Sequence, residues 1–170
     1  MDNSQISASY WVSHLRLAPH PEGGFFREVY RSSECVASMD LPKRFSGARN
    51  FATSIYYLLE EGDFSAFHRI KSDETWHFYA GGPLELHMVA GSNYTVVTLG
   101  NRPDRGEILQ YTVPYGVWFA SRPLKGVSYS LLGCTVSPGF DFADFEMGSV
   151  KEVLSERQDL DRELSMLFRS

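Results

Sequence analysis

Residues 62–81 read Gly62-Asp63-Phe64-Ser65-Ala66-Phe67-His68-Arg69-Ile70-Lys71-Ser72-Asp73-Glu74-Thr75-Trp76-His77-Phe78-Tyr79-Ala80-Gly81. Two strand-like runs, 64–69 and 74–80, lie between glycines. The spacing is a glycine, five residues, His68, five residues, Glu74, and six residues before the next glycine. Side chains alternate across a strand, so Glu74, Trp76 and Phe78 share one face and Thr75, His77 and Tyr79 the other. With the apolar set turned to a core, Glu74 points inward and His77 outward.

On either side the same pattern continues. Strand-like runs at 52–59, 84–89, 94–99, 107–113, 117–121 and 128–136 are separated by Glu61-Gly62, Gly81-Gly82-Pro83, Gly91-Ser92-Asn93 and the turn-rich segment 101–106. Short, evenly spaced strands with Gly, Pro and Asn at the gaps predict an antiparallel sandwich or barrel. Upstream, Tyr10, Trp11, Leu15 and Leu17 fit a short amphipathic helix over 7–17, which Pro19 and Pro21 end. Gly23-Gly24 leads into a strand over Phe25–Arg31, and the polar stretch 32–49, with Pro42 and Gly47, reads as an exposed loop and a candidate mobile flap over a pocket mouth. Downstream, Ser149 with Glu152 is a capping-box start, and Leu160, Leu164 and Leu167 continue at helical spacing. The prediction is a single all-β domain over 1–170, with a barrel core at about 22–147 and a C-terminal helical segment at about 149–168.

At 170 residues, 43% hydrophobic and 22% charged, the chain belongs with ordinary globular proteins and has room for one substantial core. Its 14% aromatic share suits a sandwich core, a ligand pocket or an interface. Sixteen basic against twenty-one acidic residues give a net charge of -5 with no long basic run, so nucleic acid is not an expected partner. No apolar run approaches ~18 residues, so no membrane partner is expected. The first thirty residues lack a secretory-type leader, and a cytoplasmic location is the expectation. Cys35 and Cys134 form no CxxC or zinc pattern and read as buried free thiols. Nucleophile elbows, phosphate-binding loops, dinucleotide fingerprints and HExxH are absent from the sequence.

Several blocks together resemble the cupins. The spacing around His68 and Glu74 is that of the first cupin motif, and Val113-Pro114-Tyr115-Gly116-Val117-Trp118-Phe119 is similar to the second, built around Pro-x-Gly-x-x-His. Pro21-Glu22-Gly23-Gly24-Phe25-Phe26 and Ser137-Pro138-Gly139-Phe140-Asp141-Phe142 complete a likeness, over roughly residues 8–148, to a cupin branch long described as a domain of unknown function. The resemblance implies a cupin-type jelly-roll β-barrel, a homodimer, and kinship with sugar-nucleotide epimerases, sugar-phosphate isomerases and seed storage proteins. Fold kinship does not transfer function. Of the four positions that hold a metal in metal-binding cupins, His68 and Glu74 match, whereas Ile70 and Phe119 replace the two other ligands. Two protein ligands make a poor transition-metal site, so no cofactor is expected and no residue is assigned to a metal.

By the resemblance His68 also points inward. His68 and Glu74 in an aromatic cavity then form a general acid/base pair, or a pair that satisfies itself inside a fold that once held a metal. Tyr57, alternating with Ile55 and Leu59, is a candidate acid. Arg27 is a candidate anion binder or the partner of Glu74 or Glu22. Trp76, Phe78 and Phe119 are candidate ligand-binding walls. His77 and His87 read as interface or surface histidines, and His14 and His20, outside the barrel strands, as residues without a chemical role. The leading expectation is a small-molecule pocket, the ligand sugar-like, with or without turnover. The enzyme alternatives are a metal-independent isomerase or epimerase acting on a sugar or nucleotide-sugar, with His68 as base and Tyr57 as acid, and a metal-dependent cupin that recruits a histidine from another strand.

Overall fold

The alternating runs are strands in the computed structural model, which describes residues 6–155, 157–160 and 164–169. Residues 156 and 161–163 of the predicted C-terminal helical segment lie outside the described residues. In chain order the strands are β1 (Ala18–Pro19), β2 (Phe25–Arg31), β3 (Cys35–Val36), β4 (Arg49–Asn50), β5 (Thr53–Glu60), β6 (Ser65–Arg69), β7 (Asp73–Gly81), β8 (Leu84–Ala90), β9 (Asn93–Leu99), β10 (Gln110–Val113), β11 (Trp118–Pro123), β12 (Tyr129–Ser137) and β13 (Glu146–Met147). Among the described residues they pair into a six-stranded sheet of order β1-β2-β5-β12-β7-β10, a five-stranded sheet of order β13-β6-β11-β8-β9, and a ribbon of β3 with β4. The two large sheets close on each other as an all-β jelly-roll barrel.

Alternation sorts the side chains into three apolar layers. Between the sheets lie Tyr57 and Leu59 of β5, Trp76 of β7, Leu84, Leu86 and Met88 of β8, Phe119 of β11 and Leu132 of β12. Each large side chain taken wholly out of water there contributes roughly 2–3 kcal/mol. On the outer face of the five-stranded sheet, Phe67, Val89, Trp118 and Ala120 are covered by Val153, Leu154, Leu160, Leu164 and Leu167. At one end of the six-stranded sheet, Leu58, Tyr129 and Leu131 are covered by Trp11 and Val12 of helix α1 (Ala8–His14) and by Leu15, which caps its C-terminus. Ser7 caps α1 by accepting the Tyr10 amide proton at 3.2 Å.

The capping box at Ser149 and Glu152 is formed, but the helix it opens, α2 (Val150–Val153), is one turn long. The segment continues through short 3-10 turns at Gln158–Leu160 and Ser165–Leu167, whose leucines follow the sheet surface. Three further expectations are corrected. Residues 107–109 fall outside β10, because the Glu107 carboxylate turns back to accept the Arg102 amide proton at 2.8 Å. The stretch 32–49 is mostly exposed as expected, but Ser32, Phe45 and Arg49 within it are buried and anchor it to the barrel. Cys35 is an exposed thiol, while Cys134 is buried. No helix among the described residues is long and apolar enough to cross a membrane.

Candidate functional site

One mouth of the barrel holds a cavity of about 350 Å³. Its floor carries His20, Glu22, His68 and Glu74; Phe26, Ile70, Phe140 and Phe145 form apolar walls, and Arg31, Glu28 and Asp141 stand among the lining residues as well. His68 enters from β6 and Glu74 from the start of β7, so both polar residues of the opening sequence motif reach the same space.

His68 does not pair with Glu74. Its Nδ1 lies 2.8 Å from the Ala66 carbonyl oxygen and therefore donates a proton there. Its Nε2 faces Glu22 Oε2 at 3.1 Å. A ring nitrogen and a carboxylate oxygen at that distance are two acceptors unless a proton lies between them, so the His68–Glu22 contact holds one. The Ser65 hydroxyl donates to the other Glu22 oxygen at 3.0 Å.

Glu22 reaches this position through its own turn. The Ala66 amide donates to the Glu22 carbonyl at 2.9 Å, stitching the turn to β6. The next residues, Gly23 and Gly24, sit at φ of 120° and 68°, and a Cβ on either would run into a backbone carbonyl, Phe64 O or Leu58 O. Only glycine tolerates both demands. The same turn carries His20, whose Nδ1 accepts the Glu22 amide proton at 3.3 Å, which leaves the proton of the neutral ring on Nε2. Burial pushes the His20 pKa below its ordinary value, with the Glu22 carboxylate pulling the other way. A chemical role for His20, not foreseen from its place outside the strands, is thus open to it.

Glu74 has a different environment. Its burial, followed by the nearby Glu22 charge, pushes its pKa up to about 8, against a small opposing contribution from the Cys134 thiol. At neutral pH it is mainly a neutral carboxylic acid. Burial raises the Cys134 thiol as well, and Glu74 adds to the effect.

The other predicted site residues stand elsewhere. Tyr57 is fully buried in the core, and its hydroxyl donates to the Gly23 carbonyl at 2.7 Å. Burial, then the Glu22 charge, raise its pKa well above the ordinary value, so it braces the glycine turn and is not a free acid. Arg27 is exposed and donates to the Leu15 carbonyl at 3.0 Å. The register explains why: Phe26 faces Tyr57 across β2 and β5 and Arg27 faces Tyr56, so Phe26 turns inward and Arg27 outward. Arg27 therefore meets neither Glu74 nor Glu22. Trp76, Phe78 and Phe119 pack in the core behind the cavity, with the Phe119 ring centred 4.1 Å from that of His68. His87 is buried, within 2.8 Å of the Tyr94 hydroxyl, and His77 lies 3.3 Å from the Thr135 hydroxyl.

Glu22, His20 and the wall formed by Phe140, Phe142 and Phe145 were missed from sequence. A signal for them existed, because the Pro21–Phe26 and Ser137–Phe142 blocks carry part of the family likeness. That wall is held by a buried ion pair, Arg49 to Asp144, at 2.6 and 2.7 Å. The Phe145 ring stacks on that of His68 with centroids 5.3 Å apart and planes inclined by 30°.

The residues do not fit the metal that the barrel type implies. Ile70 and Phe119 offer only hydrocarbon, and His68 spends one nitrogen on a carbonyl and the other on Glu22. Among the described residues no group of three or more His, Cys, Asp or Glu side chains is arranged to hold a metal ion.

Comparison with known proteins places these features in a family. A hypothetical protein from Leishmania major superposes with a TM-score of 0.84 at 35% identity, covering 97% of this chain and 100% of that one. A protein of Shewanella oneidensis gives 0.84 at 37% identity, covering 97% and 99%. An uncharacterized protein of Saccharomyces cerevisiae is 30% identical over 157 residues, 85% of this chain and 76% of the yeast protein. Oxalate decarboxylase from Bacillus subtilis, at 16% identity and a TM-score of 0.52 over 88% of this chain and 36% of its own, shares the fold alone. The sequence family described as Cupin superfamily (DUF985) matches residues 9–148, and the chain belongs to it.

Proposed function

We propose that the chain binds a small molecule at the barrel mouth and moves a proton on it without a metal ion, as an isomerase or epimerase does. The observation that carries this reading is the His68–Glu22 contact with its single proton, opening together with Glu74 onto one cavity of about 350 Å³. Two carboxyl groups in unlike surroundings support opposite roles. With the shared proton on His68 Nε2, the Glu22 carboxylate takes a proton from a carbon beside a carbonyl. Glu74, protonated below about pH 8, gives its proton to the carbonyl oxygen as the C–H electron pair moves there. In an isomerisation the carbon proton returns to the former carbonyl carbon while the Glu74 carboxylate takes the proton of the neighbouring hydroxyl, which becomes the new carbonyl. In an epimerisation the bound molecule turns over, the same carbon is reprotonated on its other face and Glu74 recovers its proton. Neither changes the oxidation state overall. The aromatic wall excludes water from the transfer.

The test is exchange of solvent deuterium into bound aldoses, read by proton NMR. Exchange is expected with the natural chain, and its loss in Glu22→Gln and in His68→Gln. Exchange that persists in Glu22→Gln would remove the pair from the reaction. Retention of a ligand with no exchange at all would make the protein a carrier.

A further inference from the structure

Resting on that small-molecule reading, we infer that the cavity selects uncharged, hydroxyl- or carbonyl-bearing molecules and turns away phosphate esters and nucleotide-linked sugars. Arg31 is the one lysine or arginine among the described lining residues, and four of its five N–H groups are given to neighbours. Nε and Nη2 donate to the two oxygens of Glu28 at 2.9 and 2.7 Å, and Nη1 donates to Asn50 Oδ1 at 2.9 Å and to the Phe140 carbonyl at 3.2 Å. Arg49 and Lys71, which brace the same wall, are turned to Asp144 at 2.6 and 3.5 Å. Among the described lining residues an entering phosphate would find no unpaired lysine or arginine, and it would meet the carboxyl groups of Glu22, Glu28, Glu74 and Asp141. An anion that loses water without gaining a counter-charge is rejected.

A cation is no better served. Glu22 is already matched by His68 and Ser65, Glu28 by Arg31, and Asp141 accepts the Ala143 amide proton at 2.8 Å with the Arg31 charge nearby. What remains for a ligand is neutral hydrogen bonding and aromatic surface. The His20 Nε2 proton and the Glu74 carboxyl are donors to a hydroxyl or carbonyl oxygen, while Phe26 and Phe145 present ring faces and edges of the kind that pack against the C–H surface of a sugar. The volume, about 350 Å³, is at the small end for ligand sites and suits a single small ring.

The experiment titrates the full chain with matched probes, D-xylose, D-glucose and D-mannose against their phosphate esters, UDP-glucose and D-glucosamine, supplemented by fragment sets divided into neutral, anionic and cationic members. Occupancy is read from the ring signals of His20 and His68 by heteronuclear NMR. Neutral probes are expected to move both rings, with phosphate esters at least about tenfold weaker than their parents. Tighter binding of the phosphates, lost in Arg31→Gln, would overturn the selectivity while leaving the small-molecule reading intact. Preference for the amine over glucose by a similar factor would overturn it too. If no probe of any class moves either ring, the small-molecule reading falls and this inference falls with it.

Discussion

At the scale of single residues the site depends on where two carboxyl groups keep their protons. Glu74 titrates at about 8 in the folded chain against an ordinary value of 4.5, so between those values the native state holds a proton that the unfolded chain has released. The stability tied to this group is whole below pH 4.5 and is lost as pH rises through about 8. Glu74→Gln keeps the shape and cannot ionise. Urea denaturation at pH 5 and pH 8 is expected to show the variant gaining on the natural chain by a few kcal/mol across that interval; parallel curves would mean that Glu74 is not held neutral. Glu22→Gln tests the neighbouring pair. Its amide N–H can donate to His68 Nε2, so the fold survives while the shared proton is removed. Nitrogen shifts of the His68 ring are expected to show a bare Nε2 in the variant and a proton shared at Nε2 in the natural chain. His68 was legible as a site residue because its motif is local; Glu22 was not, because nothing near residue 22 in the chain announces a histidine at 68.

At the scale of elements, the glycine turn and the aromatic wall put the site together. Gly23→Ala forces a side chain into the Phe64 carbonyl oxygen at a φ of 120°, and the turn that aims Glu22 must move. A loss on the order of 2 kcal/mol is expected in thermal or urea denaturation, together with displaced His68 ring signals; an unchanged His68 environment would show that the turn does not position Glu22. The wall responds to its buried ion pair. Asp144→Ala leaves the Arg49 guanidinium buried without its carboxylate, and a cost of about 3 kcal/mol is expected from urea denaturation. The strands around both features were readable, since β2 begins at Phe25 and ends at Arg31, the run that Gly23-Gly24 was read as leading into. The strands β1, β3, β4 and β13 were not, being two residues each and too short to show a period.

At the scale of the whole molecule the barrel is finished by what covers its outside. The C-terminal segment covers the outer face of the five-stranded sheet, and α1 one end of the other. Elsewhere on the six-stranded sheet, among the described residues, Tyr79 is 49% and Val29 44% exposed. The homodimer that the family likeness implies would use this surface. Sedimentation velocity is expected to give twice the chain mass, and Tyr79→Glu to weaken the association at least about tenfold; a monomer at micromolar concentration would dismiss it.

What the sequence determined by itself is what neighbours in the chain decide: which runs are strands, that Glu74, Trp76 and Phe78 share a face, that Ser149 opens a helix, and that Gly23-Gly24 marks a turn. These follow from alternation, capping and allowed backbone angles, all of which act over a few residues. Only the tertiary structure decided that Glu22 and not Glu74 meets His68, that His20 joins them, and that Arg27 faces out while Arg31 is held at the cavity. Those facts depend on which strand pairs with which and in what register. Pairing is settled by contacts between residues far apart in the chain, and the identity of one residue carries no record of the partner that packing brings to it.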